Sequence, residues 1–439
     1  MKLHSDTYDS YKKAEGEWSK TIPTEWQEKR VKDLFRLVTQ AAPADNDYEL
    51  LSLFTGIGVK PRKDMEARGN KASSTDGYWI VKKNDIIVNK LLAWMGSVGL
   101  SEYDGVTSPA YDVLRQVIPN LDPRYYSYLF RTEIAKKIFR KNSRGIMDMR
   151  LRLYFDKLGA ITVPFPPYKD QVLISNYIDT RTRLIDKKIG LLNRKIDIYV
   201  KLKETIIKDV IFSGLNRSVE TIDTGIPGFN KIPSHWKVKR FKEIFTKTHT
   251  GGTPDTKKDS SYIGENIWVT IGDMTDKYIS ESSNKLSNEA ILDSNIPITP
   301  KGSLLFSFKL SVGKVAFTAC DLFTNEAIIS IEQDKKINLD YFYYSLPVLL
   351  VLAAKENIYG AKLLNQGLIS NAPLLFPPVE EQEAIVNYLN SKVDVIKNLI
   401  DKVELQILKL NELREALIND AVLGKIKINH EIILREGKL

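Results

Sequence analysis

The sequence predicts a mixed fold of α/β (α+β) class, with two similar globular domains separated by two long helices that pair as a coiled coil. Three observations lead to this prediction. A chain of 439 residues is too long for one hydrophobic core, so at least two domains are expected. The chain contains an internal repeat. Each copy of the repeat ends in a long segment with coiled-coil periodicity.

Two marker blocks define the repeat. The pattern Ile-Pro-x-x-Trp occupies residues 22–26 and returns at 232–236, an offset of 210. The pattern Phe-Pro-Pro-x-x-x-Gln occupies residues 165–171 and returns at 376–382, an offset of 211. The spacing of the two blocks is thus kept to within one residue, which chance does not explain. A duplication without functional meaning is the alternative, although each half must still fold.

A long helix is predicted after each Phe-Pro-Pro block, because proline suits the start of a helix and Asp170 or Glu380-Glu381 complements its dipole. In the second helix, apolar residues recur at alternating steps of four and three, and a shift of 211 reproduces this seam in the first. Even a basic interruption recurs, Lys203 against Arg414. The seam residues are Ile185, Ile189, Leu192, Ile196 and Tyr199, then Ile396, Ile400, Val403, Ile407 and Leu410.

Each seam could instead pack against its own domain, but two matched seams favour pairing with each other. At about 1.5 Å per residue, segments of roughly 40 residues would be about 60 Å long and would act as a spacer. The predicted boundaries are 1–164 for the first globular domain with its N-terminal segment and 165–215 for the first helix. They continue with 216–375 for the second domain, 376–424 for the second helix and 425–439 for a C-terminal segment. Residues 86–88 and 303–306 are predicted to be buried strands.

Three fragments resemble catalytic motifs and depart from them in detail. The run 50–58 is similar to the cofactor loop of a methyltransferase, but Ser52 stands where an acidic residue is typical and Pro61 where a helix should continue. Phe165 lacks the side-chain carbonyl with which the related Pro-Pro-Tyr motif of adenine methyltransferases holds the target base. Ala319 precedes Cys320 where cytosine methylases have proline. The sequence therefore predicts no catalytic residue on this chain.

No metal, disulfide or membrane segment is predicted. Cys320 is the single cysteine, and the four histidines are scattered without ligand spacing (His4, His235, His249 and His430). No apolar run approaches the roughly 18 residues of a membrane span, and residues 1–6 do not resemble a signal peptide. The cytoplasm is the predicted location.

The net charge of +9 suits a polyanionic partner. The strongest basic stretch runs from Lys136 to Arg152, with a single acidic residue, Asp148, and with Gly145 allowing close backbone approach. A solvated helix face is the alternative for this stretch. Hydroxyls and bare backbone amides at 250–253 suit phosphates, and other side chains suit base edges. The candidate DNA-binding residues are Lys90, Lys136, Lys137, Arg140, Lys141, Arg144, Arg150, Arg152, Thr250, Gly251, Gly252, Thr253, Lys309, Lys314, Lys362, Asn365 and Gln366.

Several motifs follow one another in a fixed order over nearly the whole chain. They are the two repeated blocks with their helices, the run 89–99, residues 107–111 and the Thr-Gly-Gly-Thr-Pro run at 250–254. This layout resembles the specificity subunit of Type I restriction-modification systems. The resemblance implies a DNA-binding subunit with two target recognition domains, 1–164 and 216–375, each reading one half of a split site. It also implies that the helices form an antiparallel coiled coil with a pseudo-twofold axis, which fixes the gap.

The resemblance further implies that the chain is not an enzyme and holds no cofactor. Two modification subunits would carry S-adenosylmethionine and methylate adenine, and two restriction subunits, which are motor-nucleases, would use ATP and Mg²⁺. Tyr359 stands in the second half at the position that corresponds to Arg144, so the two domains are expected to read different half-sequences. Two alternatives stay open: a coiled-coil scaffold whose domains bind proteins, and a self-contained DNA methyltransferase.

Overall fold

The computed structural model describes residues 7–54, 57–65, 75–146, 150–229, 231–309, 311–356 and 362–429. The chain divides into two compact units. Unit 1 comprises residues 1–193 together with 404–439, and unit 2 comprises residues 194–403. Each unit therefore combines one globular segment with part of both long helices.

The centre of unit 1 is an antiparallel sheet in the order β4-β11-β8-β9, and α2 and α3 contribute to the same apolar core. The predicted strand at 86–88 is confirmed as β8, whose four residues are all buried. The elements are β1 (Tyr11–Lys13), β2 (Thr21–Pro23), β3 (Gln27–Arg30), α1 (Val31–Leu34), β4 (Phe35–Val38), β5 (Leu51–Phe54), β6 (Gly58–Pro61), β7 (Trp79–Val81), β8 (Ile86–Asn89), β9 (Val98–Leu100), β10 (Gly105–Thr107), β11 (Tyr111–Gln116), α2 (Pro123–Leu129), α3 (Glu133–Asn142), α4 (Phe155–Leu158), β12 (Thr162–Phe165) and the long helix α5 (Tyr168–Ser213).

Unit 2 has a corresponding sheet in the order β16-β23-β20-β21-β18. The predicted strand at 303–306 is confirmed as β20, again with every residue buried. The elements are β13 (Thr221–Asp223), β14 (Lys231–Pro233), β15 (Lys237–Arg240), α6 (Phe241–Ile244), β16 (Thr248–Thr250), β17 (Asn266–Val269), β18 (Tyr278–Ile279), β19 (Lys285–Leu286), α7 (Asn288–Asp293), β20 (Leu304–Ser307), β21 (Val315–Thr318), β22 (Phe323–Thr324), β23 (Ile328–Ile331), α8 (Leu339–Leu349), β24 (Lys355–Glu356), β25 (Lys362–Leu363), α9 (Gln366–Asn371), β26 (Pro373–Phe376) and the long helix α10 (Val379–Val422).

The glutamine of each Phe-Pro-Pro-x-x-x-Gln block ties the start of a long helix to the first proline after the preceding strand. Gln171 is fully buried, and its Nε2 donates to the Pro166 carbonyl at 2.8 Å. Gln382 repeats this contact with the Pro377 carbonyl at 2.9 Å. Because each glutamine satisfies a buried carbonyl, the spacing of the block follows from one turn of helix.

The coiled-coil seam is visible in the burial of both helices. Every seam position is buried or half-buried, while most intervening residues are exposed. In unit 1, Ile178 and Ile185 in the first half of α5 share a core with Leu417 near the end of α10. In unit 2, Val210 near the end of α5 shares a core with Leu389 near the start of α10. Within each unit the two helices therefore run antiparallel, as expected.

The repeat also holds at the level of single contacts. The strand after each Ile-Pro-x-x-Trp block pairs with the strand before a long helix, β3 with β12 and β15 with β26. Lys29 lies over the ring of Phe165 at 4.3 Å, and Lys239 lies over Phe376 at 4.2 Å. In the part of the chain that the structure describes, no helix is both long and apolar enough to span a membrane.

Candidate nucleic-acid interface

In unit 1, three stretches singled out in the sequence form one surface. The Lys90 carbonyl accepts a hydrogen bond from the Leu153 amide at 2.9 Å. The Lys90 ammonium donates to the Pro109 carbonyl at 2.7 Å. Arg140 on α3 lies over the ring of Trp94, 5.3 Å from its centroid. The run 89–99, the block 107–111 and the basic stretch are therefore brought together, although Lys90 and Leu153 lie 63 positions apart in the sequence.

A local bridge exposes the arginines of the basic stretch. Arg144 and Arg152 exchange two backbone hydrogen bonds of 2.9 Å just after α3. Gly145 makes the turn possible, because a Cβ there would lie 2.5 Å from the Arg150 carbonyl oxygen. The close approach that this glycine allows is therefore made by its own chain. Exposed cations on this surface are Lys137, Arg140, Lys141, Arg144, Arg150 and Arg152.

Carboxylates neutralise part of this positive surface. Lys136 pairs with Glu133 at 2.5 Å, Lys141 with Glu17 at 2.5 Å, and Arg144 with Asp156 at 3.2 Å. These pairs are exposed apart from the half-buried Lys136, so phosphates can displace the carboxylates at little cost. Asp148, the acidic residue noted in the sequence, lies outside the described residues.

In unit 2, two of the predicted base-reading residues adjoin the Thr-Gly-Gly-Thr-Pro segment. Gln366 Nε2 donates to the Thr250 hydroxyl at 3.0 Å. The Asn365 side chain caps α9 by accepting from the Leu368 amide at 2.8 Å, so part of its hydrogen-bonding capacity is used within the domain. Lys309 is exposed, whereas Lys314 donates to the Ile271 carbonyl at 3.0 Å. For Lys362 the structure describes the backbone in β25, and Tyr359 and Gly360 lie outside the described residues.

The glycines of this segment serve a contact within unit 2. The Gly252 amide donates to the Thr324 carbonyl at 2.9 Å. A Cβ at Gly251 would lie only 1.8 Å from the same oxygen. The Thr253 hydroxyl donates to Glu326. The expectation of bare amides for phosphate is therefore wrong at Gly252, because β22 uses that amide.

A charged cluster that no sequence motif indicated lies where α2 meets α5 in unit 1. The Arg124 guanidinium bonds Asp122 at 2.8 Å and Asp179 at 2.9 Å, and Tyr128 donates to Asp179. Arg131 lies near this cluster, and burial lowers its pKa. In unit 2 the contact of Tyr344 with Asn390 repeats that of Tyr128 with Asp179, but without the arginines. The arginine cluster is therefore a feature of unit 1 and not of the structure that the two units have in common.

The sequence also missed a cavity of about 440 Å³ beside Lys90. Asp112 of β11 is 5% exposed and lines this cavity together with Trp79 and Tyr154. Burial raises the pKa of the Asp112 carboxyl, and the Lys90 charge partly opposes this rise. The sequence feature that could have indicated this site is an aspartate inside an apolar strand, directly after the block 107–111.

No metal centre is formed by the residues that the structure describes, since no three His, Cys, Asp or Glu side chains gather as ligands. His235 bonds Glu381 at 2.8 Å, and His249 is half-buried against the Thr299 hydroxyl at 3.0 Å. His4 and His430 lie outside the described residues. Cys320 is a free thiol.

Residues 23–196 and 233–407 each match the family described as the Type I restriction modification DNA specificity domain. The chain belongs to this family. Both matches begin within the Ile-Pro-x-x-Trp block and extend into a long helix, so the repeat seen in the sequence is a duplication of the family's domain.

Similarity to individual proteins and to a solved structure extends over most of the chain. It is 22% identical to the MjaVIII specificity subunit of a type I restriction enzyme from Methanocaldococcus jannaschii, over 93% of this chain and 95% of that protein. It is 27% identical to the MjaIX specificity subunit of the same organism, over 41% of this chain and 44% of that protein. A chain from a solved structure on assembly of a type I R-M system shares the fold, with TM-score 0.69 and 15% identity over 92% of this chain and 99% of that one.

Proposed function

We propose that this chain is the sequence-reading subunit of a type I restriction-modification complex, with each unit reading one half of a split duplex site. The observation that carries the proposal is the paired specificity domain, residues 23–196 and 233–407. In each unit, side chains predicted to touch DNA are brought together from separate stretches, around Lys90 in unit 1 and around Thr250 in unit 2.

The exposed cations of unit 1 would bind the DNA backbone. Each phosphate that a lysine or arginine neutralises releases counterions, so binding weakens as salt rises. Such contacts fix the register of the protein on the duplex, and base edges supply the sequence information. The two surfaces carry different side chains, which supports different half-sequences.

The long helices would set the distance between the half-sites. α5 has 46 residues and α10 has 44. At about 1.5 Å per residue each is between about 65 and 70 Å long. The buried seam along both helices supports a stiff spacer rather than a flexible linker.

The chemistry would reside on partners rather than on this chain. We expect two modification subunits that bind S-adenosylmethionine and two restriction subunits that use ATP and Mg²⁺. Exposed apolar residues along the long helices support docking of a protein partner there, since such residues are costly to leave in water. They include Leu191, Ile198, Leu202, Val395, Leu405 and Leu408.

Methylation mapping tests the proposal directly. Genomic DNA from a host that carries the intact system should contain adenine methylation at a motif of two short half-sites with a fixed gap. A host in which this gene is deleted should lose that motif. Absence of any split motif in the intact host would contradict the proposal.

Two further measurements separate the alternatives. The purified chain should not bind S-adenosylmethionine, which a self-contained methyltransferase must do. It should bind long duplex DNA with a steep dependence on salt, which a protein-binding scaffold would not show.

A further inference from the structure

A charged pair in unit 1 occupies a place that is apolar in unit 2. β8 and β11 pair Val88 with Asp112, in the same way that β20 and β23 pair Phe306 with Ile329. Asp112 therefore holds the position of Ile329. Lys90, the residue after β8, likewise holds the position of the residue after β20, which is Phe308.

The fold does not require charges at these two positions. In unit 2, Phe308 and Ile329 are 2% and 6% exposed and belong to one apolar core. Burying a carboxylate and an ammonium costs free energy that an apolar pair of this kind avoids. A charged pair kept at such a cost is typical of a functional site.

The pair faces open space rather than a packed core. Asp112 and Lys90 line the 440 Å³ cavity, whose volume falls within the roughly 300–1,000 Å³ typical of ligand pockets. The Lys90 ammonium is 3.6 Å from Asp112 Oδ1, longer than a hydrogen bond, and donates instead to the Pro109 carbonyl. The carboxylate therefore keeps acceptor capacity for a donor that enters the cavity.

The charges around the cavity indicate which part of DNA fits. The Leu153 amide bonds the Lys90 carbonyl, which places the cavity beside the bridge between Arg144 and Arg152. Those arginines suit phosphates, whereas Asp112 and Asp156, the two carboxylates that line the cavity, repel them. A carboxylate suits the exocyclic amino group of cytosine or adenine, which is a hydrogen-bond donor at the edge of a base.

We propose that Asp112 and Lys90 read one base pair of the half-site bound by unit 1. Asp112 accepts a hydrogen bond from the exocyclic amino group of cytosine or adenine, and Lys90 donates to the neighbouring purine or pyrimidine acceptor. Trp79 and Tyr154 supply apolar contact to the same base pair. This inference rests on the proposed function, and it names side chains that determine the specificity of one domain.

The test uses the complex of this chain with its modification subunits. Binding is measured at fixed salt on duplexes that carry the mapped motif, with each base pair replaced in turn. Two variants are compared with the wild type: Asp112→Leu, which removes the acceptor, and the double variant Lys90→Phe with Asp112→Ile, which installs the pair found in unit 2. The wild type should prefer its own base pair at the read position by about ten- to a hundredfold.

In both variants that preference should fall to threefold or less at one base pair, with the other half-site unchanged. Asp85→Asn is the matched control, because Asp85 is equally buried beside the same sheet, pairs with Arg115 at 2.6 Å and does not line the cavity. Its discrimination should equal that of the wild type.

Unchanged discrimination in Asp112→Leu, or a uniform loss of affinity for all duplexes, would overturn the base-reading pair. Leucine has a branched shape similar to that of aspartate, so Asp112→Leu is informative even where the double variant fails to fold. A wild-type complex with no base preference at all is a different result, since it overturns the proposed function itself.

Discussion

The two units share their frame and differ in the surfaces they present. Trp26 and Trp236, which end the two Ile-Pro-x-x-Trp blocks, are both buried. Gln171 and Gln382 both anchor the start of a long helix. By contrast, Lys90 and Asp112 in unit 1 replace an apolar pair of unit 2. The comparison indicates that the duplication preserved the contacts that join strand to helix, while the residues free to face a ligand diverged.

Shortening the two long helices should change DNA recognition more than any other change proposed below. Removal of residues 189–195 and 400–406 deletes one heptad from each helix and leaves both seams continuous. Since seven residues span about 10 Å, the recognised gap should shorten by at most about 3 base pairs, and the original motif should no longer be methylated. Methylation mapping measures the new gap.

An unchanged gap after both deletions would contradict the spacer role. Removal of a heptad from one helix alone is the control. The two helices then differ in length by one heptad, so this variant should lose assembly rather than move the gap.

Replacing exposed arginines of unit 1 should have the next largest effect, a loss of affinity for duplex DNA. Arg144→Ala combined with Arg150→Ala should weaken duplex binding by about tenfold or more and reduce the salt slope by about 2, because two phosphate contacts are lost. Assembly with the modification subunit should be intact. The double variant Lys335→Ala with Lys336→Ala removes the same charge from exposed residues of unit 2 and should bind normally. Equal affinities for the two variants would discount the basic stretch.

The glycine after each long helix should distinguish the two units in stability. Gly424 has φ +67°, and a Cβ there would lie 2.7 Å from Pro23 and 2.9 Å from the Trp26 ring. Gly214 has φ +66°, and a Cβ there would lie 2.7 Å from the end of the Glu381 side chain and 3.0 Å from the Trp236 ring, with no proline among the nearest atoms. Ala at either site costs about 1–2 kcal/mol for the left-handed backbone, and Gly424→Ala should cost more than Gly214→Ala.

Urea unfolding of the purified chain measures this difference. Gly225→Ala is the control for the backbone alone, because Gly225 has φ +65° and no atom within 4 Å of an added Cβ. If Gly424→Ala costs no more than Gly225→Ala, the packing of Gly424 on Trp26 contributes nothing.

The smallest expected effect is the pH dependence that Asp112 gives to unit 1. Its folded-state pKa is raised above the ordinary 3.8 mainly by burial, so the ionised carboxylate opposes folding at neutral pH. Asp112→Asn should therefore unfold at a higher temperature than the wild type at pH 7. The difference should shrink as pH falls through the raised pKa and vanish below 3.8, where the aspartate is protonated in both states. A difference that grows on acidification would contradict this cost.

Much of the fold could be predicted from the sequence because its signals are local. The seam around Ile185 and Ile396 follows from helical period, and the start of each helix follows from a proline pair with glutamine one turn later. The strands at 86–88 and 303–306 follow from short apolar runs. These patterns are written within a few residues of each other, so no tertiary contact is needed to recognise them.

The candidate site depends on contacts between distant residues, and much of it could not be predicted. Asp112 reaches its cavity through pairing with Val88, and the basic stretch joins it through the bond from Leu153 to Lys90. The Gly252 amide is used by Thr324, which lies 72 residues further along the chain. Sequence patterns supplied the residue types of a DNA-binding surface, but long-range strand pairing decides which of them meet.

Unit 1 is assembled from both ends of the described chain, and this has a consequence for biosynthesis. The Tyr125 hydroxyl bonds the Val422 carbonyl at 2.7 Å inside the core that contains Trp26. Unit 2 is one continuous segment of 210 residues, which the ribosome completes before it makes residues 404–428. At about 5–20 residues per second, the first half waits about 10–40 s for its last helix. Unit 2 is thus ready to fold first, and a premature stop near residue 420 damages unit 1, most of which lies more than 200 residues earlier in the chain.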